Sequence, residues 1–353
     1  MHDYVEMLLD SKPFPRCVTI GNMAIFDMIF AMQVNVLALS HVFDTGLSTV
    51  LDAFGTANEL AEMIGPTSPR FSVTIMGVRR TVTTAQGLSV PVTPIAKKPA
   101  PDLVVIPAIG FKAPQPLVRA LASAEVQDAA DVIRSWSAGG AFTSAACIGT
   151  FVLAESGLLE NQTATTTWWL APLFRQRYPK VRVDESRMIV KSGKVVTAGA
   201  ALSHMDLALW LIRRKSPKLA ALTARYLIVD SRPTQSAYIL SDHLAHSDPI
   251  IEKFESWARK RLGEGFSLDD AAKATGASKR TLARRMKAVM GKSPLSYFQD
   301  LRVERAVHLL KTTHESIDAV AEKVGYGDGV TLRVLLRRRL GQGVKEIRRN
   351  ALL

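Results

Sequence analysis

Two sets of residues in this chain are spaced to do chemistry: a cysteine at a strand-to-helix elbow, and basic side chains on two short helices. The run GGAFTSAACIGTFVLAESGLL (139–159) reads as strand, tight turn and helix, with Cys147 at the turn. Such an elbow presents a nucleophile at the carboxyl edge of a sheet, where the following amides and the helix N-terminus favour a thiolate. The segment IPAIG (106–110) follows another apolar run and could supply a facing backbone amide. A cysteine hydrolase would also need a base within hydrogen-bond reach of the thiol.

The basic residues lie in two copies of one pattern. SLDDAAKATGASKRTLARRMKAVMG (267–291) and SIDAVAEKVGYGDGVTLRVLLRRRLG (316–341) each open on Ser followed by Leu or Ile. Each continues as a small-residue helix ending at Gly, then as a second helix loaded with arginine. This is the helix-turn-helix pattern, in which a first helix braces a second that enters the major groove of DNA.

In the first copy Leu268, Ala271 and Ala272 form the inner face of the brace, Gly276 makes the turn, and Ser278 caps the reading helix. Leu282, Met286 and Val289 recur at helical spacing and face the core. Lys279, Arg280, Ala283, Arg284 and Lys287 are left toward the groove. Arginine pairs bidentately with guanine, so Arg280 and Arg284 are the expected base contacts, with Arg285 and Lys287 on phosphates. In the second copy Ile317, Val320, Ala321 and Val324 face inward, Gly325 and Tyr326 close the turn, and Leu332, Leu335, Leu336 and Leu340 pack behind the reading helix. Gly329, Val330, Thr331 and Arg333 are left toward the groove, and only the last two have side chains that hydrogen-bond a base edge. The first copy is therefore expected to carry specificity, and the second to hold DNA through Arg333, Arg337, Arg338 and Arg339. Pro294–Thr313 reads as one connecting helix whose apolar stripe (Leu295, Phe298, Leu301, Val303, Ala306, Leu309, Leu310) both copies share. A rigid connector would set the reading helices about one DNA turn apart, ~34 Å.

Charge follows the same division. Residues 251–353 carry 22 Lys+Arg against 12 Asp+Glu, and residues 1–250 carry 23 against 20, so most of the net +13 sits in the last part of the chain. A basic module beside a near-neutral body fits phosphate neutralisation. Two distant cysteines, Cys17 and Cys147, suggest neither a disulfide framework nor a zinc site, and a reducing cytoplasm fits. The cluster Asp242, His243, His246 and Asp248 is read as a solvated loop, with no metal and no cofactor expected. Val18–Leu39 is interrupted by Asn22, Asp27, Gln33 and Asn35, which argues against a membrane span, so no membrane partner is expected. No basic leader with a small-residue cleavage site precedes it. Residues 1–31 are expected to be a loosely ordered extension, with Met32 as an alternative start.

Elements that position the elbow alternate along the body. Strands are expected at Val34–Leu39, Phe71–Met76, Leu103–Ile106 and Ala141–Ser144, with helices at Leu47–Met63, Pro116–Ser137 and Ile148–Glu155. A hairpin (Arg187–Val190, Val195–Thr197) then feeds an apolar helix, Ala201–Ile212. Such alternation predicts an α/β domain with a flavodoxin-like, doubly wound, mostly parallel sheet, followed by an all-α domain holding the two helix-turn-helix units. The expected domains are 32–215, a helical linker 216–254 that could aid dimerisation, and 255–350.

The tokens LDAFGTANEL (51–60), CIGTFVLAESGLL (147–159), TATTTWW (163–169), TAGAALSHMDLALWLI (197–212), RPTQSAY (232–238), LRVERAVHLLKTT (301–313) and VAEKVGYGD (320–328) carry a family resemblance. Residues 33 to about 215 resemble the PfpI-like, class I glutamine amidotransferase-like domain, and 255–349 resemble the AraC/XylS DNA-binding domain. Together they look like a GlxA-type AraC regulator. The resemblance implies a cysteine paired with a histidine and an acidic residue. Here Thr167 stands in the histidine place and Gly46 in the acidic one, with Asp44 two residues away. Phenylalanines of the family are replaced by Leu332, Leu336 and Leu340, and its closing Pro and Tyr by Val344 and Ile347.

Without a base the thiol stays protonated at pH 7, so the body reads as a sensor and not an enzyme. Ligands of open parallel sheets sit beyond the strand carboxyl ends, which makes Cys147, Ile148, Ile109, Thr165, Thr167, Trp168 and Ser203 the expected effector pocket. Trp168 and Trp169 could wall an amine. The implied function is a ligand-responsive, sequence-specific transcription activator sensing an amine or amino-acid-like metabolite. Its expected partners are double-stranded operator DNA, a small-molecule effector, RNA polymerase and a second copy of the chain. It would work in the cytoplasm, on the nucleoid when bound to DNA. The alternative is a PfpI-like cysteine hydrolase or glyoxalase-like enzyme fused to a DNA-binding module.

Overall fold

The computed structural model describes residues 31–65, 67–95, 99–229, 235 and 248–349. The expected extension 1–31 lies almost wholly outside them, as do Asp242, His243 and His246.

Among the described residues eleven strands run in chain order. They are β1 (Met32–Leu37), β2 (Phe71–Gly77), β3 (Thr81–Thr83), β4 (Ser89–Pro91), β5 (Thr93–Pro94), β6 (Leu103–Ile106), β7 (Phe142–Ala146), β8 (Thr163–Ala164), β9 (Arg182–Val183), β10 (Ile189–Ser192) and β11 (Val195–Ala198). The main sheet has the order β10-β11-β7-β6-β1-β2-β5, parallel except for the β10/β11 hairpin. Buried runs such as Leu103–Ile106, with no polar residue between, are what a strand covered on both faces requires. The chain leaves β1 for β2 on one side and reaches β6 on the other, so the switch point of the sheet lies between β1 and β6.

Helices α1 (Asp44–Ile64), α2 (Pro114–Leu121), α3 (Ala124–Ala138), α4 (Gly149–Glu155), α5 (Ala171–Arg177), α6 (Ser203–Lys215) and α7 (Pro217–Tyr226) cover the sheet and its edges. Two apolar clusters result, one containing Ile106, Ile133 and Phe151, the other Val36, Phe54 and Leu211. The single helix expected over Pro116–Ser137 is two helices. The Ser123 hydroxyl accepts from the Val126 N–H and starts a new helix there, a local bond that competes with continuing the first. The edge strands β3, β4 and β5 escape sequence reading because two or three residues carry no period.

The described residues from 248 to 349 form helices α8 (Pro249–Arg259), α9 (Leu268–Thr275), α10 (Lys279–Met290), α11 (Pro294–Thr312), α12 (Ile317–Lys323), α13 (Gly329–Leu340) and α14 (Val344–Arg349). Helices α8 to α10 close around Ile251, Phe254, Leu282, Met286 and Phe298; α12 to α14 close around Val320, Leu332, Leu336 and Ile347. Ile251 and Phe254 belong to this core although they precede residue 255. Helix α11 serves both cores, with Phe298 and Leu301 in one and Val303, Ala306 and Leu310 in the other. Among the described residues no helix is long and apolar enough to cross a membrane.

Candidate nucleic-acid interface and cysteine elbow

The two helix-turn-helix units are built by the same caps. Ser267 and Ser316 cap the brace helices by accepting from the N–H groups of Asp270 and Ala319. Gly276 and Gly325 then reverse the chain in the left-handed region, at φ 65° and 77°, where a side chain would be strained. Ser278 caps α10 and Asp328 caps α13, and each cap also engages a threonine hydroxyl three residues on, Thr281 and Thr331. Counting from the caps makes the helices equivalent residue by residue. Arg280 corresponds to Val330, Ala283 to Arg333, Arg284 to Val334 and Lys287 to Arg337.

On α10, Lys279, Arg280, Arg284 and Lys287 are exposed and Ala283 is half-buried. Lys279 pairs with Asp269 at 2.8 Å, and Lys287 donates to the Gly291 carbonyl at 3.0 Å. Arg285 pairs with Asp248, the cap of α8, at 3.2 Å. Arg280 and Arg284 hold no partner among the described residues. Their full hydrogen-bonding fork is therefore available to a ligand.

On α13, Val330, Thr331, Arg333, Arg337 and Arg338 are exposed. Two residues placed there by sequence reading lie elsewhere. Gly329 is buried, its N–H donating to Asp318 at 2.8 Å, because the turn tucks the helix start against the brace. Arg339 pairs with Asp300 of the connector at 3.1 Å and is part of the frame. Conversely, Val334 is 64 % exposed, as is Val330, one helical turn earlier. Sequence reading passed over Val334 because an aliphatic residue in a helix pattern is normally assigned to the core.

Cys147 stands at the elbow between β7 and α4 with φ 56°, a conformation rare for a side chain other than glycine and typical of a nucleophile elbow. Burial nevertheless pushes its thiol up to about 12, against the weaker opposite pull of hydrogen bonds from the Ile148 backbone and the Thr167 hydroxyl. At pH 7 the thiol is therefore protonated. The elbow's shape is retained and its electrostatics are not.

One amide of the IPAIG segment, that of Ala108, is taken. Ala108 N–H donates to His204 Nε2 at 3.1 Å, and His204 Nδ1 lies 2.6 Å from the Ala201 carbonyl, so the ring is the neutral Nδ1–H tautomer. Burial holds it down at about 4. The ring lies where a side chain at Gly46 would go: a Cβ there would meet His204 Nε2 at 2.6 Å. A side chain at Gly46 would require the His204 ring to shift. His204 was missed in the sequence, since a histidine inside an apolar helix run carries no signal of its own.

Cys147, Ile148, Ile109, Thr165, Thr167, Trp168 and Ser203 are all buried. Thr166 donates to the Cys147 carbonyl at 2.8 Å, and Gln235 Nε2 donates to the Thr166 carbonyl at 3.0 Å. Thr167 and Ser203 hydroxyl oxygens are buried with no oxygen or nitrogen partner among the described residues. Beyond the carboxyl ends of β1 and β6 lies an open cleft of about 380 Å³, lined by Ser40, His41, Ile109, Phe111, Arg119 and Glu125 among others. Ile109 is the one residue of the expected seven that lines it.

Trp168 joins the apolar cluster of Phe254, Met286 and Phe298 in the first helix-turn-helix unit, edge-on to Trp169 at 5.6 Å. Arg175 of α5 donates to the Val289 carbonyl of α10 at 3.2 Å and also pairs with Glu185. The segment that closes the elbow is thus also the segment that touches the first reading helix.

Residues 32–214 match the DJ-1/PfpI family. The chain belongs to that family. Residues 271–350 match a helix-turn-helix domain. The HTH-type transcriptional regulator GbdR of Pseudomonas aeruginosa is 27% identical over 186 residues, covering 52% of this chain and 50% of that protein. The HTH-type transcriptional regulator ArgR of the same organism is 26% identical over 201 residues, 56% of this chain and 61% of that protein. The chain therefore spans about half to three-fifths of the length of these relatives. Among solved structures, an AraC family transcriptional regulator from Pseudomonas putida aligns over 56% of this chain and 99% of that one, with 18% identity and a TM-score of 0.47. A ThiJ/PfpI family protein from Pseudomonas syringae aligns over 74% and 99%, with 16% identity and a TM-score of 0.48.

Proposed function

We propose that this chain is a ligand-responsive, sequence-specific transcription regulator, an activator, whose DJ-1/PfpI domain senses a small amine or amino-acid-like metabolite and catalyses nothing. The observation that carries the reading is the pair Arg280 and Arg284, exposed and without a partner among the described residues, on a capped helix that a brace and a connector hold in place. Free arginine forks on such a helix suit guanine edges. The relatives' names agree with it. Operator DNA and RNA polymerase are the partners this role requires, a second copy of the chain is a further partner in this reading, and the cytoplasm is where they meet.

Sensing is assigned to Cys147, Ile148, Ile109, Thr165, Thr167, Trp168 and Ser203. The buried Thr167 and Ser203 hydroxyls supply polar groups for an effector, and among the described residues that of Ser203 has no hydrogen-bond partner, which costs about 1–3 kcal/mol. Ile109 links this region to the open cleft, and Trp168 links it to the first reading unit. An effector that shifts residues 165–168 therefore shifts the seat of α10.

A cysteine enzyme is the competing reading, and the left-handed Cys147 favours it. The thiol held near 12 and the neutral His204 already bonded on both ring nitrogens oppose it. Cys147→Ser separates the two. Retained promoter response without turnover in either protein supports the regulator; a turnover that Cys147→Ser abolishes overturns the non-catalytic reading. Failure of the purified chain to prefer any sequence in a random DNA library overturns DNA reading itself.

A further inference from the structure

We propose that Val330 and Val334 read thymine methyl groups, so that the second helix-turn-helix unit is a thymine reader and not merely an anchor. The inference rests on the DNA-reading proposal above and assigns what the second half of the operator contains. Three observations carry it. Both valines are 64 % exposed on a helix whose inner face already has Leu332, Leu335 and Leu336 for its core. They are four residues apart, so they lie on one face of α13. Counted from the caps, they occupy the places that Arg280 and Arg284 occupy on α10.

Valine is a poor choice for a solvent-facing helix position, because branching at Cβ restricts its rotamers there. Contact with an apolar partner would compensate, and the thymine C5-methyl is the apolar group that base pairs present in the major groove. Arg333, Arg337 and Arg338, exposed beside the two valines, supply positive charge for the flanking phosphates. A protein partner for so small an apolar pair would have to approach through that arginine fringe, which favours DNA. The operator is then asymmetric in chemistry: guanine where α10 sits, thymine about one turn away where α13 sits.

The test uses the full chain and the duplex it selects from a random library. The half-site whose preference survives Arg280→Ala is the one facing α13, and its thymines are replaced there by deoxyuridine, which lacks only the methyl. Each contacted methyl lost should weaken binding about fourfold, the equivalent of one buried methyl group. In the Val330→Ala, Val334→Ala double variant, thymine and uracil duplexes should bind alike. Equal binding of both duplexes by the parent chain overturns the inference, as does an unchanged uracil penalty in the double variant. A double variant that binds DNA like the parent and loses only promoter response makes the valines a protein contact and overturns it too. A library that yields no preferred sequence removes the DNA-reading proposal and this inference with it.

Discussion

The two reading helices share the places of their caps, their turn glycines and a common connector, yet present opposite chemistry at equivalent places. Helix α10 offers Arg280 and Arg284 where α13 offers Val330 and Val334, and α13 adds Arg333 where α10 has Ala283. Duplication preserves the scaffold because caps and core positions are dictated by the backbone. The exposed face is constrained only by what it touches, so that is where the copies diverge. A second asymmetry lies behind the helices. The core of the first unit includes Trp168 of the DJ-1/PfpI domain, whereas the second core, among the described residues, is formed from residues 303–347.

The largest effects should come from the cores. Met286→Ala and Leu336→Ala each remove a fully buried side chain, and each is expected to cost about 2–5 kcal/mol in denaturant unfolding. Only Met286→Ala should speed hydrogen exchange in residues 163–178, because Trp168 shares its cluster. Equal acceleration by both variants would break the asymmetry between the cores. Next come the base contacts: Arg280→Ala or Arg284→Ala should lose roughly 5- to 150-fold at a single guanine position, as a bidentate contact worth about 1–3 kcal/mol predicts. A uniform loss across all sequences would turn these arginines into phosphate contacts.

A smaller effect distinguishes two neighbours on α13. Arg337→Ala should lower the slope of log affinity against log salt by about one, the signature of one phosphate contact. Arg339→Ala should leave that slope unchanged, since its guanidinium is bound to Asp300. If both variants lowered the slope alike, the Asp300 pair would not persist on DNA.

The main parallel strands, the elbow and both helix-turn-helix units were legible in the sequence, because each rests on a period or a cap. Leu103–Ile106 is an uninterrupted apolar run, and Ser278 and Gly276 mark where α10 begins and α9 ends. What stayed hidden depends on distant pairing. Arg339 reads as a DNA anchor until Asp300, 39 positions earlier, is seen beside it. Gly46 reads as a missing acid until the His204 ring is found in its place, 158 positions later. Ser123 was visible as a helix cap but was passed over inside a long apolar period.

If the two copies read different bases through equivalent positions, the most direct test is to make them alike: Val330→Arg with Val334→Arg, followed by selection of preferred duplexes from a random library. The second half-site should change from thymine to guanine while the first half-site keeps its preference. Selected sequences indistinguishable from those of the parent chain would contradict the claim.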